Sequence, residues 1–367
     1  MPALRGGATE KTWYLLARRF AASGHSVTVV SRSWPGLANS DTSDGVQNVR
    51  LPGFDHTGSI LLNLALDLIW GFRVARALPQ GDIVICNTIT LPIWLRRVKP
   101  GAGVVSVMIG RTPKGQVGFY RDVVRFYVPS SSVAGSIAPR WAAARTRVTG
   151  YPIDWSLLAM SAAQSGSPVT VGFVGRLHPE KGIELLVGAA CRLSERRDLP
   201  EWRLKIVGPS SVGEGGGGSE WVKALKTKSE SALGNRVEWL APEFDAERLA
   251  RIYGSLDVFC YPSVAEKGET FGVSVAEAMA ARCVPVVSAL SCFGDLVTDG
   301  QTGLVFDHTA PGAEGLLADC IGRLVGDAAL RNELCARGQQ HVRRFDIGEV
   351  SRNILGDLAL LTGAPAE

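Results

Sequence analysis

From end to end the chain alternates short, continuous apolar runs with longer segments of helical periodicity. The runs Val27 to Ser31, Ile83 to Cys86, Gly103 to Met108, Val169 to Val174, Leu204 to Val207, Val237 to Leu240, Val258 to Tyr261 and Val284 to Ser288 are apolar without a consistent polar face. They predict strands buried on both faces, as in a parallel sheet covered by helices. Thr12 to Ala22 (closed by Gly24), Ile60 to Ala77 and Gly182 to Ser194 predict helices between them. A second cycle of strands begins after Gly150-Tyr151-Pro152, which reads as a hinge. The fold class expected is therefore α/β, two Rossmann-like doubly wound domains, whose ligands bind at the carboxyl ends of the strands. The glycine-rich stretch Gly213 to Gly218 reads as a mobile loop, since no strand feeds it directly and no helix opens within it.

Composition narrows the class. With 367 residues, 46% of them hydrophobic, a core of ordinary size needs no disulfides. The seven cysteines are scattered and never form C-x-x-C, which points to buried thiols in a reducing compartment and not to zinc. No charged start is followed by an apolar run. The most apolar stretch, Ile60 to Phe72, is broken by Asn63 and Asp67 and is shorter than the ~20 residues a membrane span requires. It reads as a core helix of a cytoplasmic enzyme. Charge is uneven: residues 1–150 hold 18 Lys and Arg against 7 Asp and Glu, the remainder 21 against 28. A basic first half suits an anionic partner, such as a phosphorylated acceptor or a membrane surface touched peripherally, and equally suits simple solvation of arginines. No aromatic-plus-basic motif accompanies it, so nucleic acid is not expected. No G-x-G-x-x-G precedes a helix and no P-loop occurs, which disfavours dinucleotide hydride transfer and P-loop hydrolysis.

Two segments carry the chemistry. Glu269-Thr270-Phe271-Gly272-Val273-Ser274-Val275-Ala276-Glu277 follows the strand ending at Tyr261 and should open a helix near Gly272. Free amides at that end attract phosphate, and glycine permits close approach of a ligand. Glu277, about a turn inside, would accept from ribose hydroxyls, and Glu269 from sugar hydroxyls. Alone, two glutamates near a helix start are equally explained by the helix dipole. The second segment, Gly172-Phe173-Val174-Gly175-Arg176-Leu177-His178-Pro179-Glu180-Lys181-Gly182, runs from a strand through a turn into a helix. Arg176 offers a fork of donors to phosphate oxygens and Lys181 a point charge, both at a strand's carboxyl end. His178 reads as a solvated turn residue. Arg111-Thr112-Pro113-Lys114-Gly115-Gln116 is a third basic turn, read equally as a cleft lining or a solvated loop.

Together G-R-L-H-P-E-K-G and E-T-F-G-V-S-V-A-E-A-M-A resemble the retaining glycosyltransferases of family four, the glycosyl transferases group 1. Pro285-Val286-Val287, Asp299-Gly300-x-x-Gly303-Leu304, Gly6-Gly7 and Gly24-His25-x-Val27 extend the likeness, most specifically from Val169 to Asp307. The resemblance implies a GT-B fold with a cleft between an acceptor domain (1–149) and a nucleotide-sugar domain (150–345), residues 346–367 forming a helix that crosses back. It implies catalytic roles for Glu269, Arg176 and Lys181, and a donor-binding set of Gly6, Gly7, Gly175, Phe271, Gly272, Val273 and Glu277. The donor expected is a UDP- or GDP-sugar, with no cofactor and no metal; no D-x-D motif stands in a suitable position. The acceptor expected is anionic or lipid-linked, its identity open, and the resemblance implies cell-surface polysaccharide or glycolipid synthesis.

The sequence departs from the family in three places. Only Met1 to Arg5 precede Gly6, where a central strand is usual; its loss would leave two neighbouring strands with unpaired edges, and a late start or truncation is the expectation. The usual first-domain histidine is missing, with Met108 at the comparable place and Asn87 a remote substitute. Arg282 stands where glycine is usual before Val284-Pro285, which bears on turn geometry. A donor-binding pseudoenzyme, a sugar-nucleotide epimerase and a phosphorylase remain as alternatives; release of UDP or GDP from a sugar nucleotide separates a transferase from a pseudoenzyme.

Overall fold

A computed structural model describes residues 7–55, 57–161 and 167–363. The chain divides into two units, residues 1–152 with 347–367, and residues 153–346. The first unit contains α1 (Ala8–Ala22), β1 (Val27–Arg32), β2 (Ser40–Ser43), β3 (Val46–Leu51), α2 (Ile60–Ala77), β4 (Ile83–Cys86), α3 (Leu91–Val98), β5 (Val104–Met108), β6 (Arg125–Val128), α4 (Ser131–Gly135), α5 (Arg140–Ala144) and β7 (Thr146–Val148). Its strands form two sheets, ordered β1-β3-β2 and β4-β5-β6-β7. All pairs are parallel except β2–β3, a hairpin whose turn residues Asp44 and Gly45 both have positive φ, the geometry an Asp-Gly turn favours. Among the described residues β1 and β4 each pair on one side only. Val107, Phe126 and Val128 of the second sheet pack with Leu91 and Leu95 of α3 and with Val74 and Ala75 of α2.

Helix α2 departs from the core helix expected of its sequence. Ser59 caps it by accepting from the Leu62 amide, but only Gly71, Val74 and Ala75 of the helix are buried. Ile60 and Leu61 are each 79% exposed, and Leu62, Leu64, Leu68, Ile69 and Phe72 are exposed too. Apolar side chains surround this helix, so only some of them find the core and the others face outward.

The second unit runs α6 (Trp155–Met160), β8 (Val169–Val174), α7 (Ile183–Ser194), β9 (Trp202–Val207), α8 (Ser219–Leu233), β10 (Val237–Leu240), α9 (Ala246–Gly254), β11 (Val258–Tyr261), α10 (Val273–Ala280), β12 (Val284–Ser288), β13 (Leu304–Phe306), α11 (Ala313–Gly326) and α12 (Ala328–Val342). Its sheet has the order β10-β9-β8-β11-β12-β13, every pair parallel. Strand order reverses between β8 and β11, the position at which doubly wound sheets bind ligands. The glycine-rich stretch is not a mobile loop. The amides of Gly216, Gly217 and Gly218 donate to Ser211, Leu177 and Ser210, and α8 opens directly after Gly218. These bonds supply the polar partners that make an irregular glycine segment a fixed turn.

Helix α10 ends in a Schellman pair: the Cys283 amide donates to Ala278 and the Arg282 amide to Met279. Arg282 occupies the left-handed position with φ +70, which glycine adopts without a Cβ penalty.

The chain returns to the first unit as α13 (Ile347–Thr362). Val350, Ile354 and Leu358 pack on Leu16 and Phe20 of α1 and on Met108 and Tyr127. Met108 therefore points into this core and does not stand in for a sugar-facing histidine. Asp357 accepts from Arg125 Nε at 2.6 Å and Tyr127 Oη at 2.9 Å.

Two stability predictions follow from these contacts. Arg282→Gly removes a left-handed strain while its exposed side chain loses little, so unfolding stability should rise by about 1 kcal/mol, or ~2–4 °C in Tm by differential scanning fluorimetry. Asp357→Ala leaves buried Arg125 without its carboxylate and should cost about 3 kcal/mol in urea denaturation, with α13 amides losing hydrogen-exchange protection first.

Candidate functional site

The turn after β8 and the loop after β11 meet at the strand-order reversal. Their backbones touch at Gly182, where φ is +67 and a Cβ would lie 1.9 Å from the Pro262 carbonyl oxygen. The loop is fastened there, because the Glu180 carbonyl accepts from the Val264 amide at 2.9 Å and from Ser263 Oγ at 3.1 Å. This junction brings the two motifs together. Lys181 Nζ donates to Glu269 Oε2 at 2.7 Å, with only 9% of the lysine side chain and 12% of the glutamate side chain exposed. A buried lysine and a buried carboxylate are each costly alone and tolerable as a pair.

Arg176 lies at the rim, half-exposed, with Nη2 on Glu180 Oε1 at 2.6 Å and Nη1 on the Gly215 carbonyl at 2.9 Å. Pairs this exposed contribute about 0–1 kcal/mol, so Arg176 can exchange its partner for a phosphate at small cost. His178 is not simply solvated: its Nδ1 accepts from the Glu180 amide and caps the turn Pro179–Lys181. Gly175 lies next to the ring of Phe173, which stacks on Tyr261.

Three residues after Glu269, α10 opens at Gly272, whose φ is +92 and where no side chain caps the helix. The uncapped first turn offers amides and the positive end of the helix dipole. Val273 is half-buried as its first residue. Phe271, expected among the donor contacts, has its ring buried against Phe345 at 5.0 Å, so the ring anchors the loop to the core. Gly7, in the other unit, precedes α1, and Gly6 lies outside the described residues. Arg111 and Lys114, also in that unit, are exposed.

Each glutamate of the second motif has a tyrosine that the sequence reading missed. Tyr261 Oη donates to Glu269 Oε2 at 3.3 Å, and Tyr253 Oη to Glu277 Oε2 at 3.0 Å. Burial, then the neighbouring glutamate charge, raises both phenols well above their ordinary pKa, so both remain protonated donors. Glu277 is itself buried. Surface glutamates serving only the helix dipole would be solvated; these two are enclosed and individually hydrogen-bonded. Burial, with a smaller contribution from Glu269, also pushes the Cys292 thiol up to about 12, which leaves it protonated and poorly nucleophilic.

Residues 161–341 match the family model for glycosyl transferases group 1. A phosphatidyl-myo-inositol mannosyltransferase of Mycobacterium leprae is 29% identical over 77% of this chain and 75% of its own. A D-inositol 3-phosphate glycosyltransferase of Corynebacterium urealyticum is 32% identical over 55% of this chain and 45% of its own. Among solved structures, sucrose-phosphate synthase of Thermosynechococcus elongatus superposes with a TM-score of 0.77 at 20% identity, over 98% of this chain and 94% of its own. Anabaena HepE, solved with UDP and glucose, gives 0.70 at 19% over 98% of both chains. Residues 161–341 thus resemble the glycosyl transferases group 1 family, and the fold of the chain is GT-B.

Proposed function

We propose that this glycosyltransferase moves a sugar, with retention of configuration and without a metal, from a UDP- or GDP-sugar to a lipid-linked acceptor at a membrane surface. The observation that carries the donor half is the Lys181–Glu269 pair beside the uncapped start of α10. In this reading one side of Lys181 meets phosphate while the other holds Glu269, the carboxylate that meets sugar hydroxyls. Arg176 adds a second cation at the rim.

In this reading the bond from the anomeric carbon to the diphosphate oxygen breaks, and negative charge grows on the leaving diphosphate. Arg176, Lys181 and the first amides of α10 stabilise that charge from fixed positions. The acceptor hydroxyl oxygen bonds to the anomeric carbon on the same face, and its proton passes to the departing diphosphate. Glu269, held by Lys181 and Tyr261, orients the sugar, and Glu277 receives the ribose.

For the acceptor, the reading rests on α2 and on the relatives named for phosphatidyl-inositol and inositol phosphate. The outward apolar residues of α2 are followed by Arg73 and Arg76, which line an open groove of ≈580 Å³ with Leu51, Pro52, Phe72 and Ala77. Arg76 lies over the Phe72 ring and Arg73 over Phe54. Apolar side chains next to arginines suit the boundary between acyl chains and anionic headgroups. Among the described residues no helix is long and apolar enough to cross a membrane. Contact of this kind is peripheral, on the cytoplasmic face, in glycolipid or cell-surface polysaccharide synthesis.

Two measurements test these halves. With EDTA present throughout, release of nucleoside diphosphate from UDP- and GDP-sugars should persist in the parent protein and fall by at least ~10²-fold in Arg176→Ala and Lys181→Ala; turnover retained in both variants overturns the donor site, and loss of turnover with EDTA overturns metal independence. The double variant Ile60→Ser/Leu61→Ser should fold normally, since both side chains are largely exposed. It should co-sediment with phosphatidylglycerol-containing vesicles at least ~10-fold more weakly than the parent; equal binding removes α2 as the membrane-facing surface.

A further inference from the structure

Glu277 is one turn inside α10 and buried, a position where a carboxylate must be supplied with donors. Tyr253, at the end of α9 and fully buried, gives one: its hydroxyl reaches Glu277 Oε2 at 3.0 Å. The tyrosine is itself fixed from several sides. Its ring meets Phe259 edge-on at 5.8 Å, and Phe259 stacks on Tyr261, so one aromatic row runs from Tyr253 to the tyrosine that holds Glu269. Its carbonyl accepts from Cys283 Sγ, just beyond the end of α10. The Ser274 hydroxyl, on the first turn of α10, acts on the phenol in the opposite sense to burial and lowers its pKa. The Tyr253 hydroxyl therefore reaches from α9 to the helix that opens the site.

Resting on the reading in which Glu277 receives the donor's ribose, we propose that Tyr253 is a positioning residue that fixes the Glu277 carboxylate in the rotamer that recognises the ribose hydroxyls. Tyr253 does not touch the nucleotide. Its hydroxyl narrows the rotamers open to the carboxylate, which lowers the entropy lost on each binding event. The consequence is selective: nucleotides possessing both ribose hydroxyls benefit, and nucleotides lacking one do not.

The test is calorimetric binding of UDP and GDP, with their 2′-deoxy and 3′-deoxy forms, to the parent, Tyr253→Phe, Ser274→Ala and Glu277→Gln. The phenyl ring keeps the aromatic row, so Tyr253→Phe removes only the hydroxyl. For the preferred nucleotide the parent should lose about tenfold on removal of a recognised hydroxyl. Tyr253→Phe should weaken the ribose form about tenfold while leaving the deoxy form within twofold, so discrimination collapses. In turnover its KM for donor should rise with kcat nearly unchanged. Ser274→Ala, from a half-buried site, should shift discrimination the same way by a few-fold and serves if Tyr253→Phe does not fold. If Glu277→Gln loses discrimination while Tyr253→Phe and Ser274→Ala both keep it, the positioning role is overturned and the ribose reading stands. If Glu277→Gln keeps discrimination, the ribose reading falls and the positioning role with it.

Discussion

The candidate site depends on a buried ion pair. Lys181 comes from the turn after β8 and Glu269 from the loop after β11, and neither charge could be enclosed without the other. The pair exists because β8 and β11 are neighbours at the point where strand order reverses. It is reinforced by backbone contact at Gly182 and by the Glu180 carbonyl, which holds the start of the second loop. Sheet topology, a glycine and two hydrogen bonds thus determine a distance of 2.7 Å between side chains 88 residues apart. The lysine is neutralised by a carboxylate that is also bound by a tyrosine, and it lies over that tyrosine's ring at 5.5 Å. A ligand bringing its own negative charge to Lys181 finds the cation held in place in advance, which lowers the ordering cost of binding.

Much of this was legible in the sequence because strands buried on both faces leave continuous apolar runs. Ile83–Cys86, Val169–Val174, Val237–Leu240, Val258–Tyr261 and Val284–Ser288 begin and end where the runs do. The motif residues were legible for the complementary reason: Arg, Lys and Glu next to such runs and beside glycines are too polar for the core and too close to strand ends for indifferent surface. The direct contact of Lys181 with Glu269 was not legible, since local spacing does not show which loops meet in a sheet. Tyr261 was missed because a tyrosine in an apolar run looks like core until its hydroxyl has a partner, and Tyr253 because it reads as part of the apolar face of an amphipathic helix. The β2–β3 hairpin carried a signal that went unread, Asp44-Gly45, because its flanking strands are too polar to stand out by hydrophobicity.

The misreadings share a cause. Gly213 to Gly218 looked like a mobile linker by composition, yet its amides find carbonyl partners and its last residue starts a helix. Composition reports the conformations a segment is free to adopt and not the bonds that select one of them. Helix α2 was misread in the opposite direction. Its apolar residues lie all round the helix, and a helix of that kind is buried in a large core or placed against something apolar. Only Gly71, Val74 and Ala75 of the helix are buried. Hydrophobic content alone did not distinguish a core from a surface that awaits a partner.

The two halves of the chain thus solve opposite problems with the same fold. In the second unit β8, β11 and β12 are buried along their whole length, and the charged groups of the two motifs at the strand-end junction are each paired. Arg176 is the exception: its half-exposed pair with Glu180 is weak, and its second bond goes to a backbone carbonyl of the glycine turn. In the proposed reading the buried lysine is in place before a diphosphate binds, and the exchangeable arginine leaves its resting partner as a phosphate arrives. In the first unit the exposed side of α2 leaves apolar surface uncovered, and the arginines at its end set which apolar environments would accept it. Bare hydrocarbon would strand the guanidinium groups, whereas an interface with anionic headgroups satisfies both kinds of side chain.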